Sequence, residues 1–245
     1  MGTTRLILRI FLFIVISLII LPYAMIVGAG KWNGIKRISY VSKFWCYCVA
    51  KILGLKIAVY GDPAKIKGMI VSNHLSYIDI FLLGAVFPLR FAAKSEISKW
   101  PFLGYILGRS KPIWVDRSSK KGAVKTMNEF IQTVKNNIHV ISFPEGAISD
   151  GESSLLMFKS TSFEAAIRGR FHITPVLIKY KDNDKICWYK DETLVKHAGV
   201  VLKMKNIYAD LYILPTMLPD ENDDRKSFSK KVYDIMNSKY MELVN

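Results

Sequence analysis

Cysteine is scarce in this sequence. The 245 residues contain only Cys46, Cys48 and Cys187. Cys46 and Cys48 are two positions apart, so they would point away from each other on a helix, and Cys187 stands alone. Neither a disulfide framework nor a zinc cluster is indicated, and we expect no metal site.

Acidic residues are absent from the first 61 positions. The first is Asp62, whereas eight Lys and Arg residues precede it. Among them lies an uncharged run at residues 10–30, whose 21 residues would span about 30 Å as a helix, the thickness of a bilayer's hydrocarbon core. A second stretch, residues 38–55, mixes aromatic and apolar side chains with lysines, which is typical of a helix on an anionic membrane surface.

Three interpretations of this N-terminal part are open: a cleavable signal peptide, a spanning helix and a monotopic hairpin. Pro22 interrupts the apolar run, and Ala24 and residues 28–30 make a poor cleavage site. We therefore expect residues 1–56 to form a membrane anchor of one or two helices. Its basic flanks indicate the cytoplasmic face of the membrane.

Two further features of the sequence argue against two other classes of protein. The chain has no Gly-x-Ser-x-Gly pentapeptide, which disfavours a serine hydrolase of the α/β type. A net charge of +15 would suit a nucleic-acid binder, but eight of these excess charges lie in the first 61 residues. We expect an anionic membrane surface as a partner, and no nucleic acid.

From residue 55 onward, short apolar runs alternate with amphipathic stretches, which indicates an α/β fold. We expect a mixed, largely parallel sheet flanked by helices. The predicted strands are 56–60, 69–72, 91–93, 113–115, 139–143, 173–180 and 209–214, with a weaker one at 186–189. The predicted helices include 78–86, 118–136 with Val124, Met127, Ile131 and Val134 on one face, and 223–243 with Phe228, Val232, Ile235 and Met236 on one side.

A histidine and an aspartate stand five apart where strand 69–72 meets helix 78–86. At such a turn the carboxylate of Asp79 can accept the Nδ1 proton of His74 and leave Nε2 as a base. This spacing is a weak signal when taken alone. It fits a capping or core histidine equally well.

Two other strands end in charged residues. Glu145 follows strand 139–143 between Pro144 and Gly146, which would present it at the sheet edge. Arg117 follows strand 113–115, where its planar fork could hold a phosphate. A simple strand-ending turn, or a salt-bridged helix start with Asp116 as N-cap, would explain these residues without a function.

Taken together, these segments form four short blocks in a fixed order. They are Asn73-His74 with Asp79, then Lys94-Ser95-Glu96 with Trp100-Pro101-Phe102-Leu103-Gly104 and Val115-Asp116-Arg117, then Phe143-Pro144-Glu145-Gly146, then Ile173-Thr174-Pro175-Val176. This order resembles the lysophosphatidic acid acyltransferase family, the 1-acylglycerol-3-phosphate O-acyltransferases. The resemblance covers about residues 60–215 and implies that residues 57–245 form a glycerolipid acyltransferase catalytic domain.

The resemblance also implies roles for single residues. His74 and Asp79 would be catalytic. The implied substrate-binding residues are Asn73, Lys94, Arg117, Glu145, Gly146 and Pro175. Among these, Arg117, Glu145 and Gly146 would hold the glycerol phosphate of the acceptor, and Pro175 would contribute to the acyl-chain or donor site. No bound cofactor is expected, and acyl-CoA or acyl-ACP would serve as co-substrate.

The third block departs from the common family form. Ala147 and Ile148 stand where that form continues with Thr-Arg, so an arginine expected to help hold the phosphate is missing. The continuation through Ser149-Asp150-Gly151 and Phe158-Lys159-Ser160 resembles a bacterial branch that includes lyso-ornithine lipid acyltransferases.

The primary expectation is therefore a membrane-bound enzyme at the cytoplasmic face of a bacterial inner membrane. It would transfer a fatty acyl group to a lysophospholipid, 1-acyl-sn-glycerol-3-phosphate, to give phosphatidic acid. A lyso-ornithine lipid O-acyltransferase and a noncatalytic membrane scaffold are the alternatives.

Overall fold

The computed structural model describes residues 2–101, 103–116, 119–190 and 192–244. Its strands are β1 (Leu55–Tyr60), β2 (Met69–Ser72), β3 (Leu89–Arg90), β4 (Ala92–Lys94), β5 (Ile113–Val115), β6 (His139–Ser142), β7 (Ile173–Tyr180) and β8 (Ile207–Ile213). Its helices are α1 (Gly2–Val27), α2 (Trp32–Leu53), α3 (Ile78–Val86), α4 (Leu103–Arg109), α5 (Lys120–Lys135), α6 (Thr161–Gly169), α7 (Asn183–Ile186), α8 (Leu194–Val201) and α9 (Arg225–Val244).

Six strands form one mixed sheet in the order β1-β8-β7-β2-β6-β3, and β4 pairs with β5 separately. Every neighbouring pair is parallel except β7 and β8, which are antiparallel. The central strand β2 is buried at all four positions, as expected for a parallel strand covered on both faces. The predicted fold class is confirmed.

Helices cover both faces of the sheet. Along β2, Ile70 points to one face, where Leu82 of α3 packs in the same apolar cluster. Val71 points to the other face, where it shares a cluster with Phe163 of α6 and Phe228 of α9. The alternation of side chains along a strand thus divides the core into two layers.

The predicted strands are confirmed with ends within two residues, except the weak one at 186–189, which is wrong. That stretch contains the end of α7 and irregular chain, and its apolar character reflects burial of Ile186 and Cys187 in the core. Strand β3 was not predicted. A two-residue strand carries too little pattern to be recognised in a sequence.

The predicted helices are also present, but two residues assigned to their apolar faces are exposed. Val124 is 52% exposed and Ile235 is 45% exposed. The buried residues of α9 include Phe228, Val232 and Met236, which recur every fourth residue, so Ile235 falls on the flank of the buried face. Helix α5 begins after Ser119, whose hydroxyl accepts a hydrogen bond from Gly122 N at 2.9 Å, so Ser119 and not Asp116 is its N-cap.

The first two helices form a hairpin. Helix α1 is one continuous helix of 26 residues and includes Pro22, so the expected interruption there is wrong. It is long and apolar enough to cross a membrane, and little of it is buried against the rest of the chain. Helix α2 runs back beside it, with the Trp45 indole donating to Ser17 Oγ at 3.1 Å, and packs on α3.

Both ends of α1 are tied to the α/β domain. Near its start, the buried Arg9 guanidinium donates to the carbonyls of Leu202, Met204 and Lys205 at 3.0, 2.7 and 3.2 Å. Just beyond its end, Lys111 Nζ donates to Gly28 O at 2.5 Å. The hairpin therefore lies along the domain and does not project from it.

We expect Arg9→Met to loosen the hairpin, because the substitution leaves three carbonyl groups without their charged donor. The loss should be about 2 kcal/mol, which corresponds to a fall in Tm of roughly 4–8 °C for a chain of this size. Thermal unfolding in detergent micelles measures it. Arg5→Met is the matched control, since Arg5 is only partly buried and donates to one carbonyl, Lys203 O. Equal Tm values for the two variants would contradict the assigned role of Arg9.

Candidate active site

The loop between β2 and α3 begins with a buried amide. Asn73 is fully buried, its Nδ2 donates to Ile178 O at 2.9 Å, and its Oδ1 accepts from Ile178 N at 2.8 Å. The side chain thus binds both backbone groups of one residue in the neighbouring strand β7. This pair of bonds fixes where the loop leaves the sheet.

The next residue, His74, is paired with Asp79. The distance from His74 Nδ1 to Asp79 Oδ2 is 2.8 Å. Asp79 lies in the first turn of α3, and the same oxygen accepts from the N–H groups of Leu75 and Ser76 at 2.8 and 2.9 Å. A carboxylate oxygen only accepts, so it selects the tautomer with the proton on Nδ1 and leaves Nε2 as a free base. The His74 side chain is 22% exposed, which leaves the ring within reach of a substrate.

Asp79 has a further partner on the sheet. Its carboxylate is fully buried, and Tyr180 at the end of β7 donates its hydroxyl to Oδ1 at 2.7 Å. Burial and the negative charge of Asp79 raise the pKa of Tyr180 well above its usual value, so the hydroxyl stays protonated and donates. Tyr180 thereby joins the end of β7 to the carboxylate that holds His74.

The third block of the sequence surrounds His74. Phe143 stacks on the imidazole, with ring centroids 4.1 Å apart and planes 19° from parallel. Ser149 N donates to His74 O at 3.0 Å. The ring and the main chain of His74 are thus both held by the segment that follows β6.

Glu145 binds main-chain groups on two segments. His74 N donates to its Oε2 at 2.8 Å, and Leu156 N donates to its Oε1 at 3.1 Å. The side chain is almost completely buried. Burial raises the pKa of Glu145 to about 7, although the two backbone hydrogen bonds act in the opposite direction.

The contacts among the described residues join His74, Asp79 and Glu145 into one group. Lys94 is exposed at the end of β4, and Pro175 is buried in β7 opposite Val71 of β2. Neither shares a described hydrogen bond with that group. Arg117 lies outside the described residues.

Sequence reasoning missed Phe143, Tyr180 and the main chain of Leu156 as parts of the site. Only Tyr180 carried a usable signal. It ends a strand that is mostly apolar, and a buried tyrosine hydroxyl needs a hydrogen-bond partner. The ring stack and the Leu156 contact depend on chain segments that meet only in the folded state.

We expect Tyr180→Phe to destabilise the fold, because it leaves Asp79 Oδ1 buried without a donor. The cost should be about 1–3 kcal/mol, measured as the loss of Tm. Tyr208→Phe is the control, since Tyr208 lies on the neighbouring strand β8 and is half exposed. If both variants melt at the wild-type temperature, the Tyr180 bond contributes nothing to the site.

The raised pKa of Glu145 predicts a pH dependence of stability. Between about pH 4.5 and 7 the folded state binds a proton at Glu145 that the unfolded state has released, so the free energy of unfolding falls as pH rises through this window. Glu145→Gln removes that contribution. We therefore expect the variant to lose less Tm than the wild type between pH 5 and pH 8. Glu152→Gln, an exposed change in the same loop, should keep the wild-type slope, and identical slopes in all three proteins would contradict the prediction.

Comparisons with known proteins identify the family of this chain. The acyltransferase family model matches residues 56–179, just over half of the chain. A lyso-ornithine lipid O-acyltransferase of Rhizobium meliloti is 26% identical over 239 residues, covering 90% of this chain and 80% of that protein. A 1-acyl-sn-glycerol-3-phosphate acyltransferase of Neisseria gonorrhoeae is 32% identical over 175 residues, covering 69% of this chain and 68% of that protein.

A solved structure shows the same fold. The crystal structure of a 1-acyl-sn-glycerophosphate (LPA) acyltransferase from Thermotoga maritima matches with a TM-score of 0.69 and 20% identity, covering 99% of this chain and 98% of that one. This match shows the fold, and the family model and the relatives establish that the chain belongs to the acyltransferase family of the lysophosphatidic acid acyltransferases.

Proposed function

We propose that this protein is a membrane-bound O-acyltransferase that moves a fatty acyl group from an acyl thioester to the free hydroxyl of a lysolipid. The observation that supports it most is the His74–Asp79 pair, with its free Nε2, in a chain of the acyltransferase family. The donor is acyl-CoA or acyl-ACP, used as a co-substrate.

His74 acts as the general base. Its Nε2 removes the proton from the acceptor hydroxyl as the oxygen attacks the thioester carbonyl. The tetrahedral intermediate collapses, the C–S bond breaks, and the imidazolium returns the proton to the departing thiolate. Asp79 stabilises the imidazolium between these steps. No covalent acyl-enzyme is formed.

The buried groups around the pair position the base. Asn73 and Glu145 direct their polar atoms to the backbone, with Asn73 on Ile178 and Glu145 on His74 and Leu156. We therefore assign them to holding the catalytic loop and not to direct contact with the substrate. This arrangement keeps His74 in the orientation that proton transfer requires.

The acceptor is 1-acyl-sn-glycerol-3-phosphate in our first proposal, which gives phosphatidic acid as product. Lyso-ornithine lipid is the second candidate acceptor. Two observations favour it: relatives that carry that name, and the uncharged Ala147 and Ile148 beside the site. Arg117 and Lys94 are the proposed phosphate ligands in the first case.

The hairpin of α1 and α2 anchors the enzyme to one leaflet. Both ends of α1 are tied to the same domain, which a helix crossing the bilayer away from that domain could not satisfy. Apolar side chains such as Phe11, Leu18 and Ile19 are exposed along it, and the lysines of α2 suit an anionic surface. The cytoplasmic face of a bacterial inner membrane meets these conditions and brings the site to lipid substrates.

The test is acyl transfer from labelled acyl-CoA and acyl-ACP to a panel of lysolipids. We expect His74→Ala to lower kcat by about 10²–10⁴-fold or more, and Asp79→Asn to lose most activity by removing the anion that holds the tautomer. The control is His172→Ala. His172 lies just before β7, at the opposite end of the sheet from His74, so this variant should keep the wild-type kcat. Near-normal turnover by His74→Ala would refute the proposed base, and a wild type that acylates no acceptor would favour the scaffold alternative.

A further inference from the structure

The segment at residues 155–159, here called the strap, passes beside the catalytic loop. It is tied to the third sequence block at two points. Leu156 N donates to Glu145 Oε1 at 3.1 Å, and Lys159 N donates to Pro144 O at 2.8 Å. The other oxygen of Glu145 binds His74 N. One carboxylate therefore places the strap and the base side by side.

The strap is also fixed from the opposite side. Leu155 N donates to Asn237 Oδ1 at 2.9 Å, and Tyr233 of α9 donates its hydroxyl to Leu155 O at 3.1 Å. The Phe158 ring packs edge-on against Tyr233, with centroids 5.2 Å apart. The backbone of the strap is thus held in place before any ligand binds, which lowers the entropic cost of binding.

Lys159 ends the strap and lies over Gly146. A Cβ at position 146 would lie 2.5 Å from Lys159 Nζ and 2.9 Å from its Cε. Gly146 also has a φ of +71°, a left-handed conformation that favours glycine. A glycine therefore allows the lysine side chain to cross the same short segment whose Phe143 stacks on His74.

The Lys159 ammonium is available to a ligand. The residue is exposed, and no carboxylate of the described part of the chain forms an ion pair with it. The residues after Gly146, Ala147 and Ile148, bring no charge of their own. A lysine without a described ion pair, lying over the segment that holds His74, is suited to an anionic group on the substrate.

Apolar side chains accompany this cation. Leu156 is 39% exposed and Met157 is 70% exposed, on the same strap. Two neighbouring exposed apolar residues next to a lysine present an amphiphilic surface. That is the chemistry of a lipid with a charged headgroup.

We propose that the strap recognises the acyl acceptor, with Lys159 binding the anionic group of its headgroup and Leu156 and Met157 contacting its apolar part. The anionic group is a phosphate or a carboxylate, which a lysine binds as a point charge in either case. This inference rests on the proposed function. Through Glu145 it places the acceptor beside His74.

The experiment measures acyl transfer by the full chain in detergent micelles, with three acceptors of equal chain length. One is lysophosphatidate, one is lyso-ornithine lipid with its free carboxylate, and one is uncharged monoacylglycerol. We expect Lys159→Gln to raise the KM of an anionic acceptor by about tenfold to a hundredfold. The KM of the thioester donor and of monoacylglycerol should change little. A rise in KM for the phosphate acceptor alone, or for the carboxylate acceptor alone, identifies which headgroup Lys159 binds.

Three further variants make the result specific. Lys159→Arg keeps the charge and should retain most of the affinity, whereas Lys159→Met keeps an apolar stem over Gly146 and should behave as Lys159→Gln does. Lys67→Gln removes the same charge from an exposed lysine just before β2, at the other end of that strand from His74, and should match the wild type.

An unchanged KM for both anionic acceptors, or an equal rise for monoacylglycerol, would overturn the role of Lys159 while leaving the acyltransferase proposal intact. A wild type that transfers to none of the three acceptors would instead overturn the proposed function.

Discussion

The buried charge of Asp79 is the constraint on which the site depends. A carboxylate removed from water must be compensated by hydrogen bonds, and here the donors come from His74, Leu75, Ser76 and Tyr180. They join the catalytic loop, the start of α3 and the end of β7. The same charge that orients the imidazole thus requires the sheet and the helix to meet at one point, so the geometry of the base and the packing of the domain are inseparable.

Glu145 is a second buried carboxylate with a different task. It binds the main chains of His74 and Leu156 and touches no cationic side chain by any described hydrogen bond or ion pair. Burial raises its pKa, and the two backbone hydrogen bonds oppose this rise only in part. Asp79 therefore selects the tautomer of His74, whereas Glu145 holds the main chain of His74 next to the strap. Two carboxylates in one site have separate roles because their environments differ.

The hairpin gives this site its context. Helix α2 packs against α3, which carries Asp79, and Arg9 and Lys111 tie the ends of α1 to the domain. The apolar outer surface of the hairpin and the candidate site are therefore parts of one packed unit. Under the proposed function, this packing would set the depth at which His74 meets the hydroxyl of a lipid acceptor.

The sequence by itself determined the sheet strands with the strongest pattern, the helix 78–86 and the apolar helix near the N-terminus, because hydrophobic periodicity and charge distribution act locally. It also placed His74 and Asp79 within reach of each other, since five residues of a strand-to-helix turn confine them. Only the tertiary structure decided what completes the pair. Tyr180 is 101 residues from Asp79, and Glu145 is 71 residues from His74. The order of strands in the sheet brings them together, and no local pattern encodes that order. The predicted burial of Ile235 and Val124 is wrong for the same reason. Periodicity shows that a helix has an apolar face, but the neighbouring elements decide how wide a part of that face is buried.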